Sequence, residues 1–144
     1  MPDDLDLEAV AALRTAIARL GRRLRYQTLG DADLSATELG VLGRIGRCGP
    51  MAPGALARAE HVKPPSMSKV IESLENRGFV RRDPHPTDGR QCLISRTVAG
   101  EDFARDAKAQ RTAWLAERLN QLTESERDAV LAVAPVLDKL GEMP

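Results

Sequence analysis

Apolar residues recur along this chain in distinct rhythms, and each change of rhythm marks the edge of an element. From Leu5 to about Thr28, the residues Val10, Leu13, Ile17, Leu20 and Leu24 alternate spacings of three and four, with Arg14, Arg19, Arg22 and Arg23 between them. That spacing predicts one long amphipathic helix. The polar stretch LGDAD, residues 29–33, predicts a loop. In SATE, Ser35 to Glu38, a hydroxyl and a carboxylate three positions apart can reciprocally satisfy the free amides that open a helix. Leu39, Leu42 and Ile45 supply the buried stripe of that second helix, which runs to about Arg47 and stops at CGP.

APGALARAE predicts a third, short helix, with Pro53 tolerated in its first turn. HVKPPS breaks the chain, and a fourth helix begins near Pro64 and Pro65 with Met67, Val70, Ile71 and Leu74 as its inner stripe. Gly78 is placed for a C-terminal cap. Two short strands follow, around Phe79 to Arg82 and Gln91 to Arg96. Beyond Thr97 a long helix carries Phe103, Ala107, Trp114, Leu115 and Leu119. TESE, Thr123 to Glu126, opens a last helix with Val130, Val133, Leu137 and Leu140, expected to bend at Pro135.

Between the strands lies RRDPHPTDGRQ, which is too long and too punctuated for a minimal two-residue hairpin. Its prolines, Pro84 and Pro86, limit the freedom of a protruding loop that carries Arg81 and Arg82 at its base and Arg90 just past its tip. Helix, turn, helix and a basic hairpin together predict a winged helix-turn-helix: one helix enters the major groove of double-stranded DNA while the hairpin reaches the neighbouring minor groove. The fold class expected is mainly α, with a small β-hairpin wing and long terminal helices.

LSATELGVLGRI, PGALA, PPSMSKVIESLENRGFVRR and DPHPTDGRQCLISRTVAG resemble the MarR family of bacterial transcriptional regulators over nearly the whole chain. The Asp-x-Arg of the wing, Asp88 and Arg90, followed by a strand and a helix opening at Thr97, is the most specific element of the likeness. The resemblance implies one domain over 1–144, with a DNA-binding lobe over 35–97 and dimerisation helices over 5–28 and 98–141. It implies a homodimer on a palindromic operator, acting as a repressor whose DNA affinity changes with a small-molecule effector. It places Ser66, Ser68 and Lys69 at DNA-facing positions of the recognition helix, with Lys63, Pro65 and Met67 beside them. Arg82 falls at the wing base, Arg90 becomes the minor-groove arginine, and Asp88 is expected to orient the wing arginines. Two departures stand out. Lys69 replaces an arginine common in the family and lacks the guanidinium fork that reads guanine, and Ser73 stands where some relatives carry another arginine.

Composition narrows the function classes. At 144 residues the chain suits one domain, and aromatics of only 3% favour an aliphatic, helical core. Formal charge is zero, but residues 58–96 hold eight basic and five acidic side chains, whereas 97–144 hold six and nine. MPDDLDLE lacks the basic-then-apolar order of a signal peptide, and AVLAVAPVL is too short to span a bilayer, so a cytoplasmic location without a membrane partner is expected. Cys48, Cys92, His61 and His85 show no ligand spacing, so neither metal nor cofactor is expected. Cys48 reads as a small core filler. No nucleophile-base signature and no phosphate-binding glycine loop is present, which argues against an enzyme. The rival readings are a winged-helix protein-interaction module and a thiol-based oxidation sensor.

Overall fold

The computed structural model describes residues 5–27 and 34–144; the loop expected over 29–33, and Thr28, lie outside them. Among the described residues the order is α1 (Leu7–Tyr26), α2 (Ala36–Cys48), α3 (Pro53–Ala59), α4 (Pro64–Asn76), β1 (Val80–Pro84), β2 (Cys92–Arg96), α5 (Val98–Leu119) and α6 (Glu124–Glu142). This is the predicted order. The strands pair antiparallel from Val80 opposite Arg96 to Pro84 opposite Cys92, so β1 runs further toward the tip than expected.

Local chemistry sets the ends of the helices. Ser35 Oγ accepts from Glu38 N at 3.2 Å while Glu38 Oε2 accepts from Ser35 N at 2.7 Å, closing the capping box of α2. Thr123 and Glu126 form the same box at α6. At the end of α4, Gly78 N donates to Glu75 O and Phe79 N to Leu74 O, both at 2.9 Å, with Gly78 at φ +75°. A side chain there would be strained. The turn from α3 to α4 closes in the same way with His61 at φ +53°, Val62 N donating to Ala57 O at 3.0 Å.

The core belongs to the winged module. Val41, Leu42 and Ile45 of α2, Leu56 and Ala57 of α3, Met67, Ile71 and Leu74 of α4, Val80 of β1 and Ile94 of β2 are buried together with Leu34. One pairing was not predicted: Ile94 N donates to Met51 O at 2.8 Å and Met51 N to Ile94 O at 3.2 Å. The segment read only as a helix break thus pairs with the free edge of β2. Gly100 seats α5 on this module, because a Cβ there would lie 1.9 Å from Phe79 O. Thr97 caps the same turn, accepting from Gly100 N and donating to Gly78 O. Phe103 then stacks on Phe79 with ring centroids 4.7 Å apart.

Cys48 corrects its expectation. It is exposed, because α2 ends there and the chain turns outward at Gly49, φ +82°, one turn beyond Ile45, the last buried position of that helix. α1 and α6 contribute no buried residue, and α6 continues through Pro135. Trp114 of α5 holds α1 nearby, with Arg118 over its ring at 3.8 Å and Arg23 of α1 at 5.5 Å. No helix of the described residues is long and apolar enough to cross a membrane.

Candidate nucleic-acid interface

The two faces of α4 follow from its sequence. Met67, Ile71 and Leu74 sit at i, i+4 and i+7 and point into the core, so Ser66, Ser68, Lys69 and Glu72 face outward and are exposed. Pro64 and Pro65 occupy the first helical turn, where their missing N–H groups cost nothing, and Lys63 is the N-cap residue. Met67 was expected among the DNA-binding residues; at 1% exposure it is a core residue and presents no surface to DNA. Ser68 is outward but occupied locally, donating to Pro64 O at 3.1 Å. Ser73 turns the other way and donates to Glu38 Oε1 on α2. The position where the family resemblance suggests an arginine is here a structural tie.

Glu38 is consequently a joint between α2 and α4. Burial raises its pKa, but the bonds from Ser73 and Ser35, with the charge of Arg77 nearby, outweigh it and hold the carboxyl below the usual carboxylate value.

The wing is anchored at its base and ordered at its tip. Arg82 donates through Nε to Glu75 of α4 and lies 3.9 Å from Cys92 Sγ. It therefore braces the hairpin against the recognition helix. Arg81 pairs with Asp83 at 3.1 Å. At the tip Asp88 Oδ1 accepts from Arg90 N at 3.0 Å. The orienting role expected of Asp88 is thus exerted on the backbone of Arg90, and the expected contact with arginine side chains is replaced by this turn. The Arg90 side chain is exposed and makes no ion pair among the described residues. Lys63, Pro65, Ser66, Lys69 and Arg90 are accordingly the candidate residues that the fold leaves open, and Ser68 is exposed with its hydroxyl oxygen still able to accept.

Residues 34–92, the stretch that holds this helix pair and most of the wing, match the sequence model of the MarR family. Over 134 residues the chain is 42% identical to an uncharacterized HTH-type transcriptional regulator of Mycobacterium bovis, covering 93% of each chain. The chain belongs to the MarR family. A second uncharacterized HTH-type regulator, from Mycobacterium leprae, is 40% identical over 142 residues, covering 98% of this chain and 99% of its own. Wild-type MarR from Escherichia coli, in its apo form, superimposes with a TM-score of 0.72 at 23% identity, covering 89% of this chain and 96% of its own. The protein is therefore a MarR-family transcriptional regulator built on a DNA-binding winged helix-turn-helix.

One group of charges in this MarR fold escaped the sequence reading. A cleft of about 610 Å³ lies between α2 and α5, lined by Arg47, Arg96, Arg105, Lys108 and Arg111, with Glu101 as its one carboxylate. Arg96 lies across Gly46, where a Cβ would come within 1.2 Å of its guanidinium, and its buried Nε has no partner among the described residues. The signal was present in the glycine spacing. Gly40, Gly43 and Gly46 line one side of α2 and leave room for Glu60 and Arg96 to lie against the backbone. Glu60 in turn pairs with Arg44 at 2.8 Å, tying α3 to α2.

Proposed function

We propose that the chain represses transcription as a homodimer on an inverted-repeat operator, with Ser66, Ser68 and Lys69 near base edges and Lys63 and Arg90 as backbone and minor-groove cations. The domain division is read in the same way, with residues 35–97 as the DNA-binding lobe and 5–28 and 98–141 as the dimer region. The observation that carries this reading is the partition of apolar surface. The winged module closes its own core, whereas Leu7, Val10, Leu13, Ile17 and Leu20 of α1 and Val130, Leu131, Val133, Val136 and Leu140 of α6 are exposed. Stripes of that extent on a small protein call for a partner surface, and a second copy supplies one by two-fold symmetry. The symmetry then sets half-sites about one helical turn, roughly 10 base pairs, apart.

The cleft between α2 and α5 supports an anionic small-molecule effector. Arg47, Arg96, Lys108 and Arg111 line the cleft with Glu101 while Arg105 is paired with Asp102 at 2.8 Å, which leaves an excess of cations for a ligand carboxylate or phosphate. A ligand seated between α5 and the module shifts one against the other, and a small rotation misplaces both recognition helices relative to a fixed half-site spacing.

The test is to sequence the DNA fragments retained by the purified protein and to measure its mass by sedimentation. An enriched inverted repeat bound by a dimer is expected. Binding by a monomer, or retention without sequence preference, overturns the reading. The thiol-sensor alternative is separated by a Cys48→Ser, Cys92→Ser double variant, which is expected to keep DNA binding and effector response.

A further inference from the structure

We propose that His85 is a positioning residue of the wing: its imidazole acts as a two-amide clasp that fixes the conformation in which Arg90 is presented. The inference rests on the proposed DNA-binding role of the wing. His85 Nδ1 accepts from Thr87 N at 3.2 Å and from Asp88 N at 3.1 Å. Both amides can only donate, so Nδ1 is the acceptor toward them, and the Thr87 hydroxyl lies 3.4 Å from the same nitrogen. His85 N also donates to Gln91 O at 3.2 Å, closing the mouth of the loop. From this residue outward the tip is a relay. The imidazole fixes the amides of residues 87 and 88, the Asp88 carboxylate fixes the amide of Arg90, and Asp88 O accepts from Gln91 N at 3.1 Å.

An exposed loop with this many amides normally gives them to water and stays mobile. Here Pro84 and Pro86 remove freedom on either side of His85, but the amides of Thr87 and Asp88 beyond them still need acceptors. The imidazole supplies one. Asn and Asp side chains commonly make the same bond to the amide two residues on. An aspartate in place of His85 would add a second negative charge beside Asp88 on a surface proposed to meet phosphates. The imidazole nitrogen accepts the two amides without adding a carboxylate.

The geometry distinguishes substitutions. Nδ1 of histidine and Oδ1 of asparagine lie the same number of bonds from Cα, whereas the side-chain oxygen of glutamine corresponds to Nε2. His85→Asn therefore keeps the clasp, and His85→Gln and His85→Ala lose it. The experiment measures binding to a labelled random-sequence duplex at low salt, together with hydrogen exchange at the Thr87 and Asp88 amides in the DNA-free protein. His85→Ala and His85→Gln are expected to speed exchange at both amides and to weaken binding about 5- to 30-fold per wing, the cost of re-ordering roughly one backbone residue on binding. His85→Asn is expected to restore both. Because the clasp acts through Arg90, adding His85→Ala to Arg90→Ala is expected to cost little beyond Arg90→Ala alone. If Arg90→Ala weakens binding and His85→Ala does not, the DNA role of the wing stands and the clasp is wrong. Additive losses in the double variant, or a His85→Asn protein that behaves like His85→Ala, equally overturn it. If Arg90→Ala itself changes nothing, the wing is not a DNA contact and the proposal falls with that reading.

Discussion

Replacing Arg90 with alanine isolates the contribution of the wing, and the structure sets its size. On α4 and the wing, Lys63, Lys69 and Arg90 are exposed cations without an ion pair among the described residues, whereas Arg81 and Arg82 are held by Asp83 and Glu75. A homodimer presents each free cation twice. Neutralising about six phosphates of B-DNA gives a plot of log affinity against log salt with a slope of about −5.4, and the dimer of Arg90→Ala, with about four, gives about −3.6. The difference of about 1.8 means that the advantage of the wild type shrinks roughly 12-fold as salt rises from 50 to 200 mM. Should Arg81 and Arg82 exchange their carboxylates for phosphates on binding, both slopes steepen and their difference is preserved. Fluorescence anisotropy on one labelled duplex across that salt range reads both slopes directly. A parallel pair of lines would show that Arg90 neutralises no phosphate, and the wing would leave the binding account whatever the recognition helix does.

Three further outcomes test the frame behind this surface. Gly100→Ala is expected to destabilise by about 1–3 kcal/mol in denaturant titration despite the better helix propensity of alanine, because the new Cβ meets the backbone oxygen of Phe79; unchanged stability would mean that α5 is not seated there. Glu38→Gln is expected to cost about 1–2 kcal/mol at neutral pH by removing the charge from its bonds to Ser35 and Ser73. Its folded pKa is lowered, so the wild-type contribution is present above the unfolded value and lost as pH falls through the folded one. The gap between wild type and variant should therefore close in acid, and a gap that persists there would take the carboxylate out of the explanation. Removal of residues 123–144 is expected to yield aggregated or unfolded chains, since it deletes one of the two exposed apolar stripes that the proposed dimer would cover and leaves that of α1 without a partner; a folded, soluble monomer on sedimentation would refute the dimer reading.

What the sequence made legible depended on whether a feature is local. Capping boxes at Ser35 and Thr123, the glycine cap at Gly78 and the i, i+4, i+7 row of Met67, Ile71 and Leu74 are decided within a few residues, and the helices they bound formed as expected. The misreadings arose where a distant partner decides. Met51 falls between the two helices the sequence predicts and carries no signal of its own, yet its amide and carbonyl are claimed by Ile94, more than forty residues on. Ser73 reads as a missing arginine until Glu38 of α2 is seen to hold it. Cys48 has the periodic position of a core residue, but α2 ends at it and it stands exposed, while Ile45 and Gly46 of the same turn are covered. The loop at the tip of the wing showed the prolines and the Asp-Gly turn. It did not show that a histidine ring supplies the acceptor for the amides of Thr87 and Asp88.

The same separation of local from distant decides how a signal could travel through the proposed dimer. The module buries α2, α3, α4 and the hairpin around one closed core, and α1 and α6 add nothing to it. Among the described residues α5 packs on α2 and β2 of the module and also on α1. Its first turn is pressed against the module at Gly100 and Phe103, and further along Trp114 meets Arg23 of α1. In the proposed dimer a rotation of the module against the terminal helices is accommodated along α5, beside the cleft where Arg96, Lys108 and Arg111 gather. Mutual repulsion among those cations favours an open cleft, and an anion between them favours a closed one. Moving the recognition helices in this way leaves the core intact, so the cost is set by a few contacts along α5. Couplings of about 1–3 kcal/mol between two ligands need no larger lever.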